Sequence, residues 1–381
     1  MEKPKSARDL MDAFARRTGL AGAEGDSARR YLWTDAFAVQ CFLGLARMSG
    51  ETADRDRAPA LIEKVHHTLG RHRADDPREG WISGLTEAEG RNHPAIGGLR
   101  IGKKLPERGP NEPFDERREW DRDGQYFHYL TKWINALLKA AEETEEEKFA
   151  IWAGELLKAG GKFIRKGSPP RMYWKMSIDL SHPLVPRMGA HDPLDGLICA
   201  EGAIRRTTEM ESELQKIRQH FETLAAMMDW ATADALGIGG LLLDTAIAAE
   251  LALENPKLPE PIQPRKLWED SLTSLRVYAD RVHSPSAPAA GRLAFRECGL
   301  SLGIRVLSGT RKRFDPLNID FGVVDEYLPL ADEIETFWRD PANQKAETWT
   351  GHLDINAVTL AASLIAADQP KAFVPLRPGG E

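Results

Sequence analysis

The stretch "GIGGLLLDTAIAAE" (237–250) reads as a helix that is apolar or glycine on almost every side, broken only by Asp244, Thr245 and Glu250. A helix of that texture has no face to give to water and must be enclosed by other elements. The same texture recurs in helices expected near 31–48, 124–141, 192–208, 291–308 and 352–366, as in "GLICAEGA" (196–203) and "LAFRECGLSLGI" (293–304). With 237–253 these make six inner helices. Between them, helices expected near 57–70, 145–163, 211–229, 266–283 and 323–337 carry a charged face, as in "EETEEEKFAIWAGELLKAG" (142–160). These amphipathic helices would wrap the outside, and a helix over 7–17 supplies a sixth outer member. No run of alternating β-branched residues argues for a sheet. Six inner and six outer helices in alternation predict an all-α fold, an (α/α)6 toroid forming one domain over 1–381. An open superhelical stack is the runner-up, although no fixed repeat period is visible.

Loop lengths are uneven. Connections from inner to outer helix are short, at 142–144 and 209–210, whereas two from outer to inner are long, at 71–123 and 164–191. Loops of that length are usually functional or disordered. These contain Trp81, Trp120, Tyr173 and Trp174 among many glycines and prolines, so ordered covering loops are expected over the N-termini of the inner helices.

Composition excludes several classes. The 381 residues are 42% hydrophobic, enough for a large core, and 51 Lys and Arg stand against 58 Asp and Glu, a net charge of −7. That balance argues against nucleic-acid binding, and "GTRKRF" (309–314) is a short, isolated basic run. No stretch approaches eighteen uninterrupted apolar residues, and "MEKPKSARDL" lacks an apolar signal segment, so no membrane partner and a cytoplasmic location are expected. Cys41, Cys199 and Cys298 are far apart, odd in number and set in apolar patterns, which suits small core residues. Ten tryptophans exceed what such a core needs.

The surplus aromatics gather where inner helices begin. "EWDRDGQYFHYLTKW" (119–133) places Gln125, His128, Lys132 and Asn135 on a polar stripe opposite Tyr126, Leu130, Trp133 and Leu137. On an inner helix, that stripe would look into a cavity. The other entrances, "YLWTDAF" (31–37), "GAHDPLDG" (189–196), "DALGIGG" (234–240), "GRLAFRE" (291–297) and "WTGHLDIN" (349–356), repeat acidic groups, histidines and tryptophans. Aromatic faces cover the apolar side of a pyranose, and carboxylates bind hydroxyls and move protons. Glycoside hydrolysis needs two carboxyl groups, one protonated and one ionised. The candidate catalytic residues are therefore Asp35, Asp123, Asp195, His128, His191 and His352. The candidate sugar-binding residues are Trp33, Trp120, Gln125, Tyr173, Trp174, Lys175, Arg187, Trp349 and Asp354.

Bland alternatives accompany them. Asp123 is a favoured N-cap, and in "HDPLD" Asp192 suits the N-cap, Pro193 the first helical position and Asp195 a capping box. Thr34 and Thr350 suit caps as well, while His66, His67 and His72 read as outer-helix or surface residues. His128, His191, Asp195, His352 and Asp354 lack compact ligand spacing, so no metal and no cofactor are expected. "GGLRIGKK" (97–104) ends in Lys104 where a P-loop needs Ser or Thr, and it follows no strand. No Gly-x-Ser-x-Gly elbow occurs. Arg100, Lys103, Lys104, Arg171, Lys175 and Arg187 in the covering loops suit an anionic substrate.

The twelve-helix pattern and "YLWTDAFAVQCFLGLAR" (31–47) together resemble the six-hairpin glycosidase-like superfamily. The local likeness is to unsaturated glucuronyl hydrolases, in which a Trp-x-Asp segment opens an inner helix and aspartates do acid/base work; Trp33 and Asp35 match that segment. The architecture is also similar to that of N-acylglucosamine 2-epimerases, where histidines shuttle protons, a part open to His128, His191 and His352. The stretches around 120–133, 171–196 and 349–356 resemble a bacterial family within that superfamily. The shared location of carboxylates, tryptophans and cations at the inner-helix entrances points to a glycoside hydrolase acting on a small, acidic sugar through paired aspartates, with a sugar isomerase or epimerase using histidines, or a non-catalytic small-molecule-binding or scaffold protein, as alternatives. Fold alone does not fix which.

Overall fold

The computed structural model describes residues 5–20, 29–109, 111–165, 167, 170–208, 210–282 and 284–375. Positions 166, 168 and 169 of the second covering loop, Glu209 of the connection 209–210, and both ends of the range 1–381 lie outside them. All twelve expected helices are present: α1 (Ala7–Arg17), α2 (Leu32–Ser49), α3 (Thr52–Leu69), α4 (Phe127–Thr144), α5 (Glu147–Gly160), α6 (Asp192–Ile204), α7 (Glu211–Ala225), α8 (Ala235–Glu254), α9 (Pro264–Val277), α10 (Ala294–Thr310), α11 (Leu328–Arg339) and α12 (Leu353–Asp368). Short helices at Glu87–Asn92, Glu116–Asp121 and Glu347–Thr350 are additional. So are five strands of two or three residues: β1 (Gln125–Tyr126), β2 (Ile164–Arg165), β3 (Arg171–Met172), β4 (Lys175–Met176) and β5 (Pro183–Val185). Strands this short carry no periodicity for a sequence reading to detect.

The chain divides into two compact units, and the division falls inside α2 and α3. The first draws on Met1–Asp26, Phe37–Ala58 and Asp229–Glu381. Its apolar helices pack in series, α8 on α10 and α10 on α12, with α9, α11 and α1 as their amphipathic partners. Small residues allow the α8–α10 approach: a Cβ at Gly239 would lie 2.1 Å from the Gly299 carbonyl oxygen, and one at Gly303 would lie 2.6 Å from that of Gly239. The stretch 237–250 is thus built for backbone-to-backbone contact. Although α8 is long and apolar enough to cross a membrane, its burial is that of a core helix. Where α10, α11 and α12 meet, Glu335 accepts hydrogen bonds from Ser301, Ser363 and Arg305, so its charge is held by donors on two neighbouring helices. Cys41 and Cys298 are buried in this unit, and Cys199 is buried in the other.

The second unit draws on Ser27–Ala36 and Pro59–Met228. Here α4 packs on α6, with α5 against α4 and α7 against α6. His66, expected on an outer helix or at the surface, lies on α3 and is buried. Its Nε2 accepts a hydrogen bond from Trp133 Nε1 at 2.9 Å, and burial pushes its pKa down to about 3, so it stays neutral. Helix periodicity places a residue on a face, but it did not reveal that this face of α3 meets Trp133 of α4.

The described residues of the two long loops, 71–123 and 164–191, are stitched together within this unit. β1 pairs antiparallel with β4, and β4 with β5, so the approach to α4 is a strand of a three-stranded sheet. This shifts the start of α4 from the expected 124 to Phe127, behind Tyr126 as N-cap.

Candidate functional site

Several expected site residues turn out to hold the loops. Asp123 does not cap α4; it is 0% exposed. Its Oδ1 accepts the amides of Gly102, Lys103 and Gly124 at 3.0, 3.3 and 3.1 Å, and its Oδ2 accepts Arg100 at 2.5 Å and Arg73 at 3.2 Å. A carboxylate so enclosed has no room for a substrate. Gln125, also enclosed, donates to the carbonyls of Gly97 and Ile178 and accepts the amide of Leu99, tying one covering loop to the other. Lys175 is enclosed too, donating to Glu119 and to the Arg122 carbonyl; burial lowers its pKa and Glu119 works against that. These three are structural residues in their positions, because every polar atom the sequence offered for ligand binding is used by the fold.

The remaining residues of this unit divide into a buried start of α2 and a cluster on α4 and α6. Trp33 and Asp35 are both buried. Asp35 accepts the Tyr31 amide at 3.2 Å and lies 3.5 Å from Arg30. His191 is half-buried at the N-cap of α6, so Asp192 is the first helical residue rather than the cap. Asp195 is not a capping-box partner: its Oδ2 accepts Lys132 Nζ at 3.0 Å and Thr131 Oγ1 at 3.1 Å, both from α4. One turn before Lys132 stands His128.

His128 is the chemically distinctive member. Its ring stacks on Trp174 at 5.7 Å and 12°, with Tyr126 at 5.2 Å and Tyr129 edge-on at 4.7 Å. Among the described residues its Nδ1 has no hydrogen-bond partner. Burial pushes its pKa down to about 4, with the Asp195 carboxylate opposing and Lys132 assisting, so the imidazole is neutral at neutral pH. Tyr129 shares a 2.5 Å hydrogen bond with Tyr31, and burial keeps its hydroxyl protonated. Nearby, burial and the Asp195 charge push Asp192 up to about 7, although the Gly189 amide, donating at 2.8 Å, pulls the other way.

Two members of this aromatic cage, Trp174 and Tyr126, also line a pocket of about 720 Å³. Its other walls are Phe114 and Trp120 from one covering loop and residues 183–189 from the other. Trp120, 49% exposed, meets Trp174 edge-to-face at 5.1 Å. The pocket's cations are offset: Arg108 faces Glu119 at 3.2 Å, and Arg187, well exposed, faces Glu116 at 3.7 Å. Tyr173 is half-buried, its amide bonded to the Phe163 carbonyl.

Three candidates belong to the other unit. Trp349 is buried and stacked on Trp338 at 5.7 Å, a core position that removes it from substrate contact. Asp354 pairs with Arg17 at 2.7 Å, and His352 is exposed at the N-cap of α12. Among the described residues no three His, Cys, Asp or Glu side chains are grouped to hold a metal ion.

Sequence reading passed over Tyr31, Tyr126, Tyr129 and Phe114 as site residues. The first three were visible as the aromatic runs "YLW" and "YFHY" flanking named candidates. Phe114 carried no signal, because it lies in an irregular loop.

The elements define an all-α fold of the (α/α)6 toroid class. Two solved structures carry this likeness. A cellobiose 2-epimerase from Spirochaeta thermophila superposes with a TM-score of 0.51 over 96% of this chain and 97% of its own, at 13% identity. A sugar epimerase from a ruminal bacterium gives 0.50 over 88% and 86%, at 8% identity. At such identities the likeness is one of fold. Neither a family model nor a curated protein sequence matches the chain.

Proposed function

We propose that this protein is a carbohydrate-active enzyme that moves a proton on a small sugar, an epimerase-type reaction with His128 as the proton-transfer group. The observation that carries this reading is His128 itself: a neutral imidazole whose buried Nδ1 has no described hydrogen bond, stacked on the pocket-lining Trp174 and beside the Lys132–Asp195 pair. A neutral imidazole takes a proton from the carbon beside a sugar carbonyl without first having to lose one. As it does so it becomes a cation, which the nearby Asp195 carboxylate favours. The negative charge passes to the sugar oxygen, where a protonated tyrosine hydroxyl such as that of Tyr129 is a suitable donor, and His128 returns to neutral by giving the proton back to the opposite face of that carbon once the planar intermediate has turned. Trp120, Trp174 and Tyr126 offer the pocket's aromatic faces to a sugar ring. The paired state of Arg108 and Arg187 suits a neutral ring rather than an acidic one. Two fold neighbours being sugar epimerases supports the same reading.

Hydrolysis is the second reading, and Asp192 is its support: a carboxyl held up to about 7 near the Asp195 carboxylate gives one acid protonated and one ionised. Against it, Asp192 is buried, and Asp35 and Asp123 are enclosed and engaged. Incubating the purified chain with reducing mono- and disaccharides separates the readings. Epimerisation yields products of unchanged mass, whereas hydrolysis splits a disaccharide with uptake of water. Binding without turnover of any sugar would overturn both.

A further inference from the structure

We infer that a second pocket, about 380 Å³ and walled by the stretch 100–104, binds a small phosphate-type oxyanion. Six cationic residues line it, Arg29, Arg30, Arg73, Arg100, Lys103 and Lys104, against the single acid Asp75. In a chain whose net charge is −7, such a concentration of one sign raises the local potential and calls for a counter-ion. The volume falls within the range of small-molecule sites.

The cations have unequal duties. Arg73 and Arg100 build the wall. Arg73 holds Asp75, Asp123 and the Lys103 and Lys104 carbonyls, while Arg100 holds Asp123 and the carbonyls of Arg71 and Thr68. Their donors are therefore spent on the fold, and Asp123 and Asp75 cancel their charge. Arg30, buried, faces Asp35 at 3.5 Å, and the charge that remains is that of Lys103, Lys104 and Arg29, the last two exposed and all three lining the space.

The lysines are presented by a fixed turn rather than by a loose loop. Asp123 clamps the Gly102 and Lys103 amides, Arg73 clamps the two lysine carbonyls, and Lys103 Nζ lies 5.3 Å above the Tyr31 ring. Gly102 has φ +91°, and a Cβ there would come 1.9 Å from the Arg30 carbonyl oxygen. This position thus admits only glycine. The stretch "GGLRIGKK" is therefore no P-loop, since its Gly102 and Lys103 amides are taken by the Asp123 carboxylate and those of Leu99, Arg100 and Ile101 by Gln125 and backbone carbonyls; its lysine side chains are what it offers. Ammonium groups beside an exposed guanidinium, with no free carboxylate among the lining residues, suit a compact dianion. The site is independent of the chemistry proposed for His128.

The test is calorimetric titration of the full chain with sodium phosphate in chloride buffer at constant ionic strength. One phosphate should bind per chain, and the double variant Lys103→Gln/Lys104→Gln should weaken binding by about tenfold or more through loss of charge-assisted contacts. Its melting temperature without phosphate should stay at the wild-type value, because the clamps on the turn are backbone groups. Should that variant fail to fold, Arg29→Gln reads the same site. Tighter binding of glucose 6-phosphate than of inorganic phosphate would identify a phosphate ester as the ligand, and equal binding the free ion; either upholds the site. No saturable heat with wild-type protein, or full affinity in the lysine variant, would overturn it.

Discussion

Replacing Asp123 by Asn separates a residue that holds the fold from one that turns over substrate. The asparagine keeps one carbonyl oxygen for the Gly102, Lys103 and Gly124 amides, so three hydrogen bonds survive in kind. It puts an NH2 group where Oδ2 accepted two guanidiniums, Arg100 at 2.5 Å and Arg73 at 3.2 Å. Breaking a buried ion pair by removing one charge costs about 3–5 kcal/mol, because the partner stays buried. Arg73 keeps Asp75, at 2.6 Å, so part of its charge remains compensated, and the lower end, about 3 kcal/mol, is the expectation. For a unit of this size that corresponds to a fall in melting temperature on the order of 6–12 °C. Urea unfolding followed by circular dichroism gives the free energy, and thermal melts give the temperature. A variant as stable as wild type, yet inactive on a sugar the wild type turns over, would refute the structural assignment and return Asp123 to the chemistry.

His128 and Asp192 act oppositely on stability as pH changes. His128 has a folded pKa near 4, below the unfolded value, so its share of stability is lost as pH falls from the normal histidine range towards 4. Asp192 has a folded pKa near 7, above the unfolded value, so its share is present at low pH and lost as pH rises towards 7. Urea midpoints measured from pH 4.5 to 6.5 should therefore fall more steeply with rising pH in His128→Gln than in wild type. In Asp192→Asn they should rise more steeply; parallel profiles for all three proteins would show that neither shift exists. Gly98→Ala should destabilise the covering loops by about 2 kcal/mol or more, since Gly98 has φ +79° and a Cβ would meet Gln125 Oε1 at 2.1 Å. Unchanged urea unfolding would show that Gln125 does not bridge the loops as described.

Much of the fold was legible because burial leaves a mark on composition. Helices such as 237–250 are apolar all round and glycine-rich where backbones touch, and all twelve helices were found from that contrast alone. The starts of helices were less legible. Asp123 and Asp192 have the chemistry of caps, and only the partners they meet, the distant Arg100 for one and the Gly189 amide three residues back for the other, determine what their carboxylates do. Site residues were harder still. A polar side chain in an aromatic context reads alike whether its polar atom is left without a described partner, as His128 Nδ1 is, or reaches a distant carbonyl, as Gln125 does with Ile178. Lys175 misled for the same reason: its alternation with aromatic residues marked an ordered lining, and the order turned out to be its own burial against Glu119.

The central claim is that His128 moves a carbon-bound proton of a sugar. The most direct measurement is incubation of the wild-type chain and His128→Gln with reducing aldoses in deuterium oxide, followed by NMR of the recovered sugar. The wild type should place deuterium on the carbon next to the carbonyl and form the epimer, and His128→Gln, folded and equally stable at neutral pH, should do neither. Sugar cleaved with no deuterium on carbon, or exchange undiminished in His128→Gln, would contradict it.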